Sequence, residues 1–162
     1  MRTTVLALIL SIVGFATTLV HAAPAPAPIS AKLESTPADK QAIQALLDNY
    51  TKAVSNKDQA LFESLLLNKS ISFSHVNAAA KKADQEDGPR NYEQFRKAVF
   101  EGPPFTQRFQ NVEIRQDGIL ADVSLVFVNT SASGVGWGWK TLQLLKVDGR
   151  WKIASEFFTT HS

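Results

Sequence analysis

Two periodicities divide the chain. Ile43, Leu46, Leu47, Tyr50, Ala53 and Val54 recur at i, i+3, i+4, i+7 spacing, which predicts one apolar stripe along a helix. Thr36-Pro37-Ala38-Asp39 opens that helix: Thr36 as N-cap, Pro37 where no N–H is needed, and an acid near the positive end. Asn56 is the expected terminator. Asp58 then caps a shorter helix with a second stripe of Leu61, Phe62, Leu65 and Leu66. Ile71 to Val76 alternates apolar with polar and suits a strand. The charge-rich stretch from Asn77 to Arg90 reads as a loop, after which Asn91 caps a third helix carrying Tyr92, Phe95, Val99 and Phe100, ended by Gly102-Pro103-Pro104.

From there the period changes to two. Phe109, Val112 and Ile114 lead into an Asp117-Gly118 turn, and Ile119, Ala121, Val123, Leu125 and Phe127 alternate away from it. Asn129 to Gly134 is expected to connect this hairpin to a second one, with the glycines of Gly134-Val135-Gly136-Trp137-Gly138 allowing bends on entry to the strand. In the second hairpin Asp148-Gly149 predicts a two-residue type I′ turn. With Val147 opposite Arg150, one face pairs Lys146 with Trp151, Leu144 with Ile153, Leu142 with Ser155 and Lys140 with Phe157. The other face pairs Leu145 with Lys152, Gln143 with Ala154, Thr141 with Glu156 and Trp139 with Phe158. Leu142, Leu144, Trp151 and Ile153 make the drier side, which needs cover from the amphipathic helices. Helices first and a meander of long strands after them predict an α+β domain with the helices on one face of a curved antiparallel sheet.

The N-terminus changes the picture of where the protein works. One positive charge at Arg2, an apolar run from Val5 to Val20 and the small-residue pattern to Ala23 read as a signal peptide over residues 1–22, which predicts an exported protein, periplasmic or secreted, with no membrane attachment after cleavage. Residues 23–35 form an Ala/Pro-rich linker expected to be disordered, leaving 36–160 as a single domain. The chain has no cysteine, so packing must supply its stability without disulfides. Its 17 basic and 15 acidic residues give no charge bias towards nucleic acid. With no thiolates and few histidines, no metal site or cofactor is expected.

The pattern Ala42-Ile43-x-x-Leu46-Leu47-x-x-Tyr50, then Asp58-x-x-x-Phe62, and finally Leu144 to Ile153, resembles the nuclear-transport-factor-2-like superfamily, nearest to its SnoaL-like and lumazine-binding-like members. The resemblance runs from about Asp39 to Phe158 and implies a cone of curved sheet closed by helices on its concave face, with a ligand cavity between them. It commonly implies a homodimer through the outer sheet face, here Trp139, Thr141, Gln143, Glu156 and Phe158. Steroid isomerases of this superfamily use a carboxylate base with a tyrosine in the oxyanion hole. Laid on this chain, the tyrosine falls on Tyr50 and the base on Ser74, which cannot abstract a proton from carbon unaided. His75 could take that place only after a one-residue shift or a bulge.

The expected pocket residues are therefore Tyr50, Phe73, His75, Phe95, Lys140 and Phe157, with no catalytic residue assigned. Tyr50 reads as a core tyrosine or a ligand donor, and Lys140 as a rim lysine or a cation for an acidic ligand. The expected function is binding of a small apolar or aromatic molecule without catalysis. An isomerase, dehydratase or cyclase acting on a ring, and an adaptor with a filled cone, are the competing classes. A cavity of a few hundred Å³ with convergent polar groups separates the first two from the third.

Overall fold

The computed structural model describes residues 33–81 and 92–161. The expected signal peptide, most of the expected linker, Asn91 and most of the charge-rich loop lie outside them.

Helix α1, Pro37–Asn56, is capped as its sequence demands: the Thr36 hydroxyl accepts from the Asp39 N–H at 3.1 Å. Its apolar stripe is buried throughout. Asn56 is the last helical residue, and Lys57 makes the stop in the left-handed region at φ 58°, its N–H returning to the carbonyls of Ala53 and Val54. The Asp58 carboxylate accepts from the Leu61 N–H and starts α2, Gln59–Leu65, which buries Phe62 and Leu65. Strand β1, Ser72–His75, follows. The expected loop from Asn77 begins instead with a short helix α3, Val76–Ala80, capped by the His75 ring, whose Nδ1 accepts from the Asn77 N–H at 3.2 Å. Helix α4, Tyr92–Arg96, runs into one turn of π-helix at Lys97–Glu101 before Gly102 ends it.

The sheet has the order β1-β5-β4-β3-β2, built from β2 (Phe105–Asp117), β3 (Leu120–Ser131), β4 (Gly134–Val147) and β5 (Arg150–Phe158). It is antiparallel except at its edge, where β1 runs parallel to β5 with Phe73 beside Glu156 and His75 beside Phe158. Helix α1 lies across β2 and β5, and the core gathers between its stripe and the inward positions of the central strands, including Val123, Leu125, Leu142, Leu144 and Ile153. The sheet stays open, with β1 and β2 as edges.

Three turn expectations meet different outcomes. Asp148 and Gly149 both have positive φ, 49° and 76°, as a type I′ turn requires. In the other hairpin the two central residues are Gly118-Ile119, flanked by the pair Asp117 and Leu120, so that turn sits one residue later than expected. The stretch from Asn129 to Gly134 is no long connection: β3 and β4 remain paired to Ser131 and Gly134, and the glycine-rich run is strand.

One register shift reorganises the site. The C-terminal hairpin follows the expected pairing from the turn to Leu144 and Ile153, but the next pairs are Gln143 with Ser155, Leu142 with Glu156 and Lys140 with Phe158. An extra residue on β5, Ala154, forms a bulge, and because side chains alternate with period two, every residue beyond it changes face. Glu156 and Phe158, expected on the outer dimer face, point inward. Phe157, expected in the pocket, lies opposite Thr141 on the outer side. A second bulge on β2 between Gln110 and Glu113, with Asn111 at φ 51°, bends the opposite flank of the sheet.

Candidate functional site

At the open end of the cone the helices and the sheet diverge around a cavity of about 260 Å³. Its apolar walls are Phe73 from β1, Phe95 and Val99 from α4 and the π-turn, and Phe105, Phe127 and Phe158 from the sheet. Lys140 on β4 lies within the lining. At the mouth stand two polar pairs: Gln107 Nε2 donates to Asn129 Oδ1 at 2.8 Å, and His75 Nε2 lies 2.8 Å from Thr160 Oγ1. Since the Nδ1 of His75 accepts from backbone, its Nε2 carries the proton and donates to the threonine. Gln107 Oε1 is buried with no hydrogen-bond partner among the described residues.

The walls are held by residues outside the cavity. The ring of Phe62 on α2 sits 5.2 Å from Phe95, 5.5 Å from Phe100 and 6.0 Å from Phe73, so one side chain orders the aromatic wall. Lys57, at the α1–α2 junction, donates to the carbonyls of Val99, Gly102 and Pro103 at 2.5, 2.7 and 3.0 Å and fixes the end of the π-turn. Gly138 is required by its surroundings: a Cβ there would meet the Thr159 carbonyl oxygen at 1.9 Å and the Phe127 ring at 2.7 Å.

Beneath the cavity lies a buried polar group of three. Lys140 is 2% exposed and Glu156 not at all; the Nζ lies 2.6 Å from Glu156 Oε1 and donates to the Tyr50 hydroxyl at 2.5 Å. That hydroxyl donates to the carboxylate, with oxygens at 2.9 and 3.0 Å. Five aromatic rings surround the ammonium, from Tyr50 at 4.3 Å through Phe127, Phe158 and Phe109 to Phe95 at 6.0 Å. Burial pushes the Lys140 ammonium below its ordinary value, opposed by the charge of Glu156. Burial likewise raises the Glu156 carboxyl, opposed by Lys140 and Tyr50, and it raises the Tyr50 phenol, reinforced by the neighbouring carboxylate.

The expected residues thus divide. Phe73, His75, Phe95 and Lys140 line the cavity. Tyr50 is fully buried beneath it, its hydroxyl turned to Lys140 and Glu156. Phe157 is outside. Of the expected outer face, Trp139, Thr141 and Gln143 remain there with Trp139 53% exposed, while Glu156 and Phe158 belong to the interior. The same bulge brings the Glu156 carboxylate beneath the hollow, beside Lys140. Ser74, where the isomerase's base would fall, is buried on the face opposite Phe73 and His75, and its hydroxyl has no partner among the described residues. His75 reaches the cavity without a shift. Near the C-terminus, His161 is paired with Trp137 and stacked on it at 4.4 Å.

The regular strand alternation hides Glu156, and the one hint of it in the sequence is energetic rather than positional. An inward lysine in an apolar setting requires an acid partner, and Glu156 is the acid nearest Lys140 across the hairpin.

A family model described as "Putative lumazine-binding" matches residues 38–159. The chain belongs to that family. No curated protein is similar to it. Among solved structures, this lumazine-binding-like chain is similar to a protein of unknown function with a cystatin-like fold from Nostoc punctiforme, at 13% identity over 80% of this chain and 96% of that one, with a TM-score of 0.62. It is also similar to a nuclear-transport-factor-2-like protein of unknown function from Shewanella baltica, at 17% identity over 80% and 99%, with a TM-score of 0.53. A third likeness is to a "Putative Scytalone Dehydratase" from Novosphingobium aromaticivorans, at 16% identity over 77% and 85%, with a TM-score of 0.58. At these identities the neighbours share the fold, which is nuclear-transport-factor-2-like.

Proposed function

We propose that this chain is an exported, non-catalytic protein that binds a small planar apolar or aromatic molecule in its cone. The observation that carries the reading is the cavity itself, about 260 Å³, walled by phenylalanines and reached by few polar groups. That composition suits a flat ring system held by stacking and oriented by a small number of hydrogen bonds. A cone of this kind is not filled by its own side chains, which counts against the adaptor reading. Membership of the lumazine-binding-like family agrees with a bicyclic heterocycle as ligand. Export rests on the N-terminal sequence, and detection of the mature chain beginning at Ala23 in the extracellular or periplasmic fraction tests it.

Calorimetric titration of the full-length mature protein with lumazine and with naphthalene tests the binding. Saturable one-site binding of at least one, lost in F95A, is expected. Heat indistinguishable from dilution for both would remove the reading.

One observation favours an enzyme acting on a ring: the close approach of Tyr50, Lys140 and Glu156 below an apolar hollow, with burial displacing their proton affinities. Against it, both carboxylate oxygens already accept hydrogen bonds within the group, and Glu156 itself is screened from the cavity by Lys140. An E156Q variant that loses turnover of a ketone or hydroxylated ring substrate while still binding it would establish the catalytic reading instead.

A further inference from the structure

We infer that the cavity selects a neutral ring ligand carrying a hydrogen-bond acceptor, a ring carbonyl or ring nitrogen, and discriminates against aromatic carboxylates. The inference rests on the proposal that the cavity is a binding site, and it concerns what the floor of that cavity asks of its occupant.

Lys140 is the only lysine, arginine or carboxylate in the cavity lining among the described residues. Taken alone, a buried lysine at the foot of an aromatic pocket reads as an anchor for an anion. The bulge at Ala154 reverses that reading, because it brings Glu156 to 2.6 Å from the Nζ. Whether the shared proton sits on nitrogen or oxygen, the pair carries no net charge. An incoming carboxylate would therefore share one lysine with a carboxylate that has no exposure to water, and the assembly would hold a net negative charge in apolar surroundings. A neutral acceptor meets no such penalty. Lys140 has three N–H positions as an ammonium, of which Glu156 and Tyr50 take two, and the third has no partner among the described residues. A free donor at the foot of an apolar cavity matches a ring carbonyl or ring nitrogen better than a hydrocarbon or an acid.

Three bicyclic probes of nearly equal size test this on the full mature chain: isoquinolone as the neutral lactam, naphthoate as the anion, and naphthalene without an acceptor. In the wild type, isoquinolone is expected to bind about tenfold tighter than naphthoate, the scale of one charge-assisted hydrogen bond set against one uncompensated charge. In E156Q the lysine becomes an unbalanced cation and the order of the two should invert. Equal or tighter binding of naphthoate by the wild type overturns the inference while leaving the binding site standing, and so does an unchanged ratio in E156Q. If E156Q does not fold, the double variant K140M/E156Q removes both charges at once; it should bind isoquinolone no better than naphthalene, and a retained preference for the lactam would overturn the role given to Lys140. Absence of binding by all three probes overturns the underlying site and the inference together.

Discussion

Lys140 and Glu156 are each costly to bury and are tolerable only together. K140M leaves a carboxylate with the Tyr50 hydroxyl as its sole partner, and a loss of about 3–5 kcal/mol in stability is expected by urea unfolding. Y50F removes a hydroxyl that bridges the other two, and roughly 1–3 kcal/mol should be lost in the same assay. The second buried acid, Asp39, does different work. Its Oδ1 accepts from Lys146 at 2.6 Å and the Trp151 indole at 3.1 Å, and its Oδ2 from Gln116 at 2.9 Å, so it ties the start of α1 to the C-terminal hairpin. The Gln116 and Lys146 hydrogen bonds hold this carboxyl well below the usual carboxylate range. A depressed folded value means that Asp39 contributes stability above its unfolded value of about 4, and that this contribution fades as pH falls towards the folded value. Thermal midpoints measured between about pH 2 and pH 6 should therefore fall more steeply on acidification for the wild type than for D39N. Parallel curves would show that these bonds do not govern acid unfolding. Tyr50 and Lys140 were legible as inward positions from the helical stripe and the hairpin alternation. Glu156 was not, because its face depends on how many residues the strand inserts before it.

The bulge is the element-scale counterpart. Nothing in Ile153-Ala154-Ser155 marks it: neither glycine nor proline is present, and the type I′ turn that sets the register acts only as far as Leu144 and Ile153. Beyond that point the choice lies between a regular ladder with Glu156 in the outer row and Lys140 buried without a counter-charge, and a bulged one that joins them. Burying an unpaired lysine costs more than one disrupted ladder step, so the bulged ladder prevails. Deleting Ala154 should restore the regular alternation, turn Glu156 outward and leave Lys140 without its acid. The expected outcome is a lowered melting temperature and loss of isoquinolone binding; a deletion variant as stable as the wild type would show that the bulge is incidental. The helices were far easier to read, since capping and stripe act within a few residues of one another. Where α4 passes into a π-turn, periodicity no longer decides, and Lys57 holds the three carbonyls instead.

At the scale of the molecule, the outer face of β4 presents Trp137 and Trp139 at 47% and 53% exposure with Thr141 and Gln143 further along the same row. Aromatic groups in such a row suit a contact with a second copy of the chain, in line with the homodimer that the resemblance implied. Light scattering on an eluting size-exclusion peak should give a dimer mass for the wild type and a monomer mass for W137S/W139S with an unchanged circular dichroism spectrum. A monomeric wild type at tens of micromolar would remove the dimer from the picture. With Glu156 and Phe158 turned inward, such a contact would draw on Trp137, Trp139, Thr141, Gln143 and Phe157 rather than on the set the regular ladder implied.

What the amino-acid sequence determined by itself was everything governed by short-range regularity: the helical stripes and caps, the Asp148-Gly149 turn, the class of fold and the dry side of the last hairpin. What tertiary structure alone decided was the chemistry at the foot of the cone. Lys140 and Glu156 meet only across two strands and an inserted residue, and it is the energy of a buried charge, spread over groups distant in the chain, that selects the arrangement in which they meet.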